Sequence, residues 1–215
     1  MRPRGHDGSP FTFVRKIAME IHNTIKVAEG LSRFWRSARG WAPAGAADLL
    51  EEARLDRFLS FAHTLPDFVD QFSEGTAEAR LIVGYATLRS MSESTLKLFF
   101  SVYYEDYRKD PDIIRIRNGD VADPDDSKFD QLIHLFSLKG APEFIPLLRR
   151  IQSRGNAIHA FKDRLTGTQS ELIDDINQFG DFLIEVNARF PYPDDMYNPE
   201  LALASSEHAI RILSR

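Results

Sequence analysis

The sequence predicts an all-α protein, an antiparallel helical bundle of six or seven helices. Three observations predict it. Apolar residues recur at three- and four-residue spacing in long runs. Alternating strand patterns flanked by turn dipeptides are nearly absent. The breaks between runs are mostly short and carry Gly or Pro, and short connections set neighbouring helices antiparallel.

The first helix is expected over residues 11–39, with Phe13, Ile17, Ile21, Thr24, Ala28 and Leu31 on one face. Arg33, Arg36 and Arg39 suit its C-terminus, and Gly40, Pro43 and Gly45 end it. A second helix over 46–65 carries Leu50, Leu55, Phe58, Leu59 and Ala62. Pro66 kinks or restarts it, and Gly75 closes that segment. A third helix over 76–107 carries Leu81, Tyr85, Leu88, Met91, Thr95, Leu98 and Val102. Residues 110–127, with Pro111, Gly119, Pro124 and many acids, form a loop in which Ile113, Ile114 and Ile116 suit a short extended piece. A short helix over 128–138 turns Phe129, Leu132, Ile133 and Phe136 inward.

Pro142 suits the first turn of the next helix, which is expected to run to residue 165. Thr168 and Glu171 form a capping box for a helix to residue 189 that buries Leu172, Ile176, Phe179, Leu183 and Val186. Pro191 and Pro193 stop it, and Asn198-Pro199 starts a last amphipathic helix. The expected organisation is a disordered lead-in (1–10), an N-terminal helix and linker (11–45), a central bundle (46–190) and a helical tail (191–215).

Composition narrows the function classes. The absence of cysteine removes disulfide frameworks, thiolate metal sites and Cys nucleophiles. No apolar stretch reaches membrane-span length, and the first ten residues lack the apolar run of a signal peptide, so a cytoplasmic protein is expected. A net charge of −5 argues against a protein that coats nucleic acid with its whole surface. His22, His63, His134 and His208 lie on separate predicted helices without partners at ligand spacing. No metal set and no cofactor site is expected. Tyr103, Tyr104 and Tyr107 suit the cap of a core or a stacking surface, and Arg33, Arg36 and Arg39 with Trp35 and Trp41 suit either packing or a partner.

One predicted helix differs from the rest. On a helical wheel Leu147, Leu148, Ile151, Gly155, Ile158, Phe161 and Leu165 share one arc, with Gln152, Asn156, His159 and Asp163 on a polar face beside it. Arg154 falls inside the apolar arc, where a charge must find a partner or border a cleft. Residues 149–164 hold Arg149, Arg150, Arg154, Lys162 and Arg164 against Asp163 alone, a basic island in an acidic chain that suits an anion or a solvated face. Histidine near neutral pKa transfers protons, arginine holds phosphate, and asparagine orients a hydroxyl or a phosphate oxygen.

Arg154-Gly155-Asn156-Ala157-Ile158-His159 resembles the Arg-x4-6-His motif of the HEPN superfamily (higher eukaryotes and prokaryotes nucleotide-binding domains). The resemblance covers roughly residues 76–190. Many members place a polar residue directly after the Arg; here Gly155 stands there and Asn156 follows. The resemblance implies a helical homodimer in which two Arg-His pairs meet and cleave RNA without metal. The ribose 2′-OH attacks the adjacent phosphorus and leaves a cyclic phosphate and a 5′-OH. It also implies a toxin–antitoxin or phage-defence setting, with an antitoxin protein as a second partner. On this reading His159, Arg154 and Asn156 are catalytic, Arg149, Arg150 and Lys162 bind substrate, and Asp163 orients the imidazole or is a surface carboxylate. The other reading is a non-catalytic module of the same fold that binds RNA, nucleotide or protein.

Overall fold

The computed structural model describes residues 10–159 and 164–193. Among these it contains eight α-helices and no strand. They are α1 (Pro10–Trp35), α2 (Ala44–Glu52), α3 (Leu55–Thr64), α4 (Ala77–Val102), α5 (Tyr104–Tyr107), α6 (Phe129–Lys139), α7 (Ile145–Gly155) and α8 (Gln169–Ala188). The polar lead-in and the expected last helix lie outside the described residues.

The apolar stripes read from the sequence form the interior. Leu81, Tyr85, Leu88, Met91, Thr95, Leu98 and Val102 are all buried on α4, as are Leu172, Ile176, Phe179, Leu183 and Val186 on α8. One hydrophobic cluster runs from Ile17 to Phe190, so α1 shares its core with the segment 46–190. Such a stripe is what holds a helix in a fold, since propensity alone is marginal over these lengths.

The helix expected over 46–65 divides into two. Ala53 turns extended and Arg54 leaves the helical region, so α3 restarts at Leu55. In one straight helix Leu50 and Leu55 would stand about 140° apart. The break lets both enter the core. Arg54 then lies against Asp56, with Nη2 2.6 Å from Oδ2.

Helix direction follows connection length. α1 and α3 are antiparallel: Ser32 donates to the Leu55 carbonyl while Glu29 sits 3.7 Å from His63. α7 and α8 are antiparallel as well, since Arg150 reaches Asp175 and Arg154 reaches Glu171. The antiparallel expectation fails for partners distant in sequence. Tyr85 meets Asp175 and Phe99 meets Phe190, so α4 and α8 run the same way. Thr24 lies beside Gly180 and Trp35 beside Phe190, so α1 and α8 do too. The loop after α5 supplies the long return that parallel neighbours need. Ile113 and Ile114 are buried there, the chain makes one antiparallel bridge between Arg115 and Val121, and the Tyr107 hydroxyl donates to the Ala122 carbonyl.

Trp35 is buried in an aromatic cluster, 5.3 Å from Trp41, 5.2 Å from Phe190 and 5.5 Å from Tyr192 between ring centroids. Arg39 beside it is held by Asp48 and Glu51. The two tryptophans and Arg39 are therefore engaged in packing and ion pairs at this end of α1.

Candidate functional site

α7 ends ten residues earlier than the wheel assumed. It stops at Gly155, and Asn156–Ile158 forms a single 3-10 turn that delivers His159 in a non-helical conformation. Gly and Asn are weak helix formers and favour a C-terminus. Beyond that point the shared arc no longer exists. Ile158 is 49% exposed and Leu165 is 81% exposed, where the wheel had placed both in the core. Lys162 and Asp163 lie outside the described residues, and so does Phe161.

Arg154 is where the pattern required it to be, buried with partners. Its Nη1 donates to the Tyr85 hydroxyl and lies 3.5 Å from Asp175, and its Nη2 donates to Glu171 Oε1 at 2.7 Å. Tyr85 in turn donates to Asp175 Oδ2 at 3.0 Å. Arg150 completes the set with a fork on Asp175 Oδ1, Nη2 at 2.6 Å and Nε at 2.9 Å. Asp175 is a buried carboxylate between two guanidinium groups and a phenol. Such a pair costs desolvation, and only this many hydrogen bonds offsets it.

The same network fixes the loop that leads into α8. Glu171 Oε2 accepts from the Thr168 amide at 2.8 Å and from its hydroxyl at 3.1 Å, so the capping box read from the sequence forms. Its carboxylate thus serves the cap and Arg154 together. Gly167 has a φ of +81°, and a Cβ there would sit 2.8 Å from Arg154 Cζ and 2.8 Å from Glu171 Oε2. The left-handed backbone favours glycine, and a side chain there would also have to displace the ends of Arg154 and Glu171.

The electrostatics follow the contacts. Burial pushes the Tyr85 phenol up, with Asp175 adding, against the opposing pull of Arg154, so the phenol stays a donor. Burial pulls the Arg154 guanidinium down, but its hydrogen bonds to Glu171 and Tyr85 carry it above its ordinary value. Arg154 and the cap hold the Glu171 carboxyl below its ordinary value of 4.5. A depressed carboxyl lends stability above its unfolded pKa and loses it as pH falls. Glu171→Gln is therefore expected to be less stable than wild type near pH 7, with the gap closing as pH drops below about 4.5. Urea unfolding at pH 7, 5 and 3 reads this out; a gap that persists at pH 3 means that the ion pair is not its source.

Arg149 and Arg150 of the basic island are also committed, while Arg164 stands exposed beyond the turn. Arg149 is paired with Asp130 and lies 3.1 Å from Gln152, and Arg150 faces inward on Asp175. The island expected from the charge count is therefore largely neutralised by carboxylates that α6 and α8 bring to it. Asn156 is half-buried and caps α7, and His159 stands exposed at the end of the turn. The structure thus sets Arg154 inside and His159 outside, on consecutive turns at one helix end.

Arg89 on α4 was missed from the sequence. A Cβ at Gly155 would sit 2.6 Å from Arg89 Cβ and 2.9 Å from the Tyr85 carbonyl oxygen, so Arg89 lies against the end of α7. Its Nε is buried with no hydrogen-bond partner among the described residues, and Nη2 is 3.6 Å from Glu93. The contact also explains Gly155. A polar side chain at that place would strike the α4 backbone, so Asn stands one position later.

Among the described residues, no cluster of three His or acidic groups suits a metal ion, and no helix is long and apolar enough to cross a membrane. Comparison with family models, with curated proteins and with solved structures found no match to the chain.

Proposed function

We propose that this chain is a HEPN-like, metal-independent endoribonuclease in which His159 is the proton-transfer residue. The observation that carries the reading is the exposed His159 at the end of α7, one turn beyond an immobilised Arg154. Attack by the ribose 2′-OH forms the bond to phosphorus and breaks the bond to the 5′ oxygen. A proton leaves the attacking hydroxyl and another reaches the leaving oxygen, and an imidazole serves either transfer. A second copy supplies the second His159 in a homodimer. Arg154 holds the end of α7 and the α8 cap in register, and it meets phosphate only when Glu171, its more exposed partner, releases it. Arg89 lies against the end of α7 and is not forked onto a carboxylate, with Nη2 3.6 Å from Glu93. An antitoxin partner and a defence setting belong to this proposal as its biological context.

A second reading, a non-catalytic module of the same fold that binds RNA, nucleotide or protein, is favoured by one observation. Arg149, Arg150 and Arg154 each already hold a carboxylate. One experiment separates the two. Wild type and His159→Ala are incubated with single-stranded and structured RNA in EDTA. The nuclease reading expects cyclic-phosphate products from wild type and a loss of at least a hundredfold in the variant, the usual scale for a general acid–base group. Cleavage that survives His159→Ala removes His159 from the chemistry. RNA binding without turnover by both proteins selects the second reading.

A further inference from the structure

At the opposite end of the bundle, a cavity of about 440 Å³ opens where α4, α6 and α8 terminate. Counting along α4 from Arg89 to Tyr103 puts it about 21 Å from the end of α7. Its wall is Phe99, Phe100, Tyr103, Tyr107 and Leu135, and its rim carries Asp106, Asp110, Lys139 and Arg189. The size falls in the range of pockets for small organic ligands, about 300–1,000 Å³.

Charge decides which ligand. Lys139 bridges Asp110 at 2.9 Å and Asp112 at 3.0 Å, and Arg189 is paired with Glu185 at 2.9 Å. Both rim cations are thus neutralised. The Asp106 carboxylate has no hydrogen bond and no ion pair among the described residues. The hydroxyls of Tyr103 and Tyr107 already donate to the carbonyls of Arg189 and Ala122, so toward a ligand they can only accept. Three helices contribute their last turns here, and a helix C-terminus carries partial negative charge. Aromatic rings add a face that attracts cations.

We propose that this cavity binds a small organic cation bearing a flat apolar group, of the arylalkylamine class. The ring lies among Phe99, Phe100 and Leu135, and the ammonium pairs with Asp106. The site is separate from His159 and does not depend on the nuclease reading.

The test is calorimetric titration of the full chain with phenethylammonium at pH 7, beside neutral 2-phenylethanol and anionic 3-phenylpropionate. The expected result is binding of the cation at least tenfold tighter than the alcohol, with the anion weakest. Asp106→Asn, an exposed substitution, is expected to abolish that preference, and Asp106→Glu to restore most of it. Equal affinity for cation and alcohol overturns the proposal. So does cation binding that Asp106→Asn leaves unchanged, or no binding of the amine at millimolar concentration.

Discussion

Asp175→Ala is expected to destabilise the protein by about 3–5 kcal/mol, the scale seen when one partner of a buried ion pair is removed. The carboxylate accepts from Arg150 and Tyr85 and faces Arg154 at 3.5 Å. Its loss leaves two guanidinium groups and a phenol without their shared acceptor. Arg150 is partly exposed and can turn toward water; Arg154, with 11% of its side chain exposed, cannot do so without moving the loop that Gly167 folds over it. A domain is commonly stable by only about 5–15 kcal/mol, so the loss approaches the whole. Asp175→Asn keeps the shape and one acceptor, and is expected to lie between wild type and the alanine variant. Urea unfolding followed by circular dichroism measures both. A shift in midpoint worth less than about 1 kcal/mol at unchanged slope would show that the arginines do not depend on Asp175.

The second large effect is expected at Gly155. In an open helix Gly→Ala is worth up to about 1 kcal/mol of added stability. Here a Cβ meets Arg89 Cβ at 2.6 Å, Arg89 Cδ at 2.8 Å and the Tyr85 carbonyl oxygen at 2.9 Å. Arg89 can shift its outer atoms, but the Tyr85 carbonyl belongs to the α4 backbone. Overpacking of this kind costs about 1–3 kcal/mol. Gly155→Ala is therefore expected to lose stability despite its better propensity, and Gly155→Val to lose more. Thermal unfolding of the two variants checks the sign; a higher melting temperature for Gly155→Ala would mean that α4 and α7 stand further apart.

Most of the fold was legible because its interior is periodic. The stripes of α4 and α8 and the Thr168–Glu171 cap needed no tertiary information. Two boundaries were not legible. The break at Ala53 lies in a run of good helix formers, and only the demand that Leu50 and Leu55 both reach the core explains it. The end of α7 was signalled by Gly155 and Asn156, but continued apolar spacing through Ile158 and Leu165 hid it. The parallel sense of α4 and α8 is set by the long return after α5, which local pattern cannot report.

The site was legible in part. Arg154 broke an apolar stripe, and so did Asp175, which stands between Leu172 and Ile176 on the neighbouring stripe. Opposite charges that each violate a stripe on consecutive helices form a readable pair, and that signal was available for Asp175. Arg89 gave no such signal, because its role comes from the close approach that Gly155 allows. The charge count over residues 149–164 misled for a related reason: the carboxylates that answer Arg149 and Arg150 come from other helices.

The aromatic cluster at Trp35 has an optical consequence. Both tryptophans of the chain sit in it, with ring centroids 5.3 Å apart. Intrinsic tryptophan emission therefore watches one place, the junction of α1 with the segment around Phe190 and Tyr192. It is blind to the far end where α7 stops. Local opening around Arg154 would leave the emission spectrum unchanged while amide exchange at α7 accelerates, so a mismatch between the two signals separates loosening of the site from unfolding of the whole molecule.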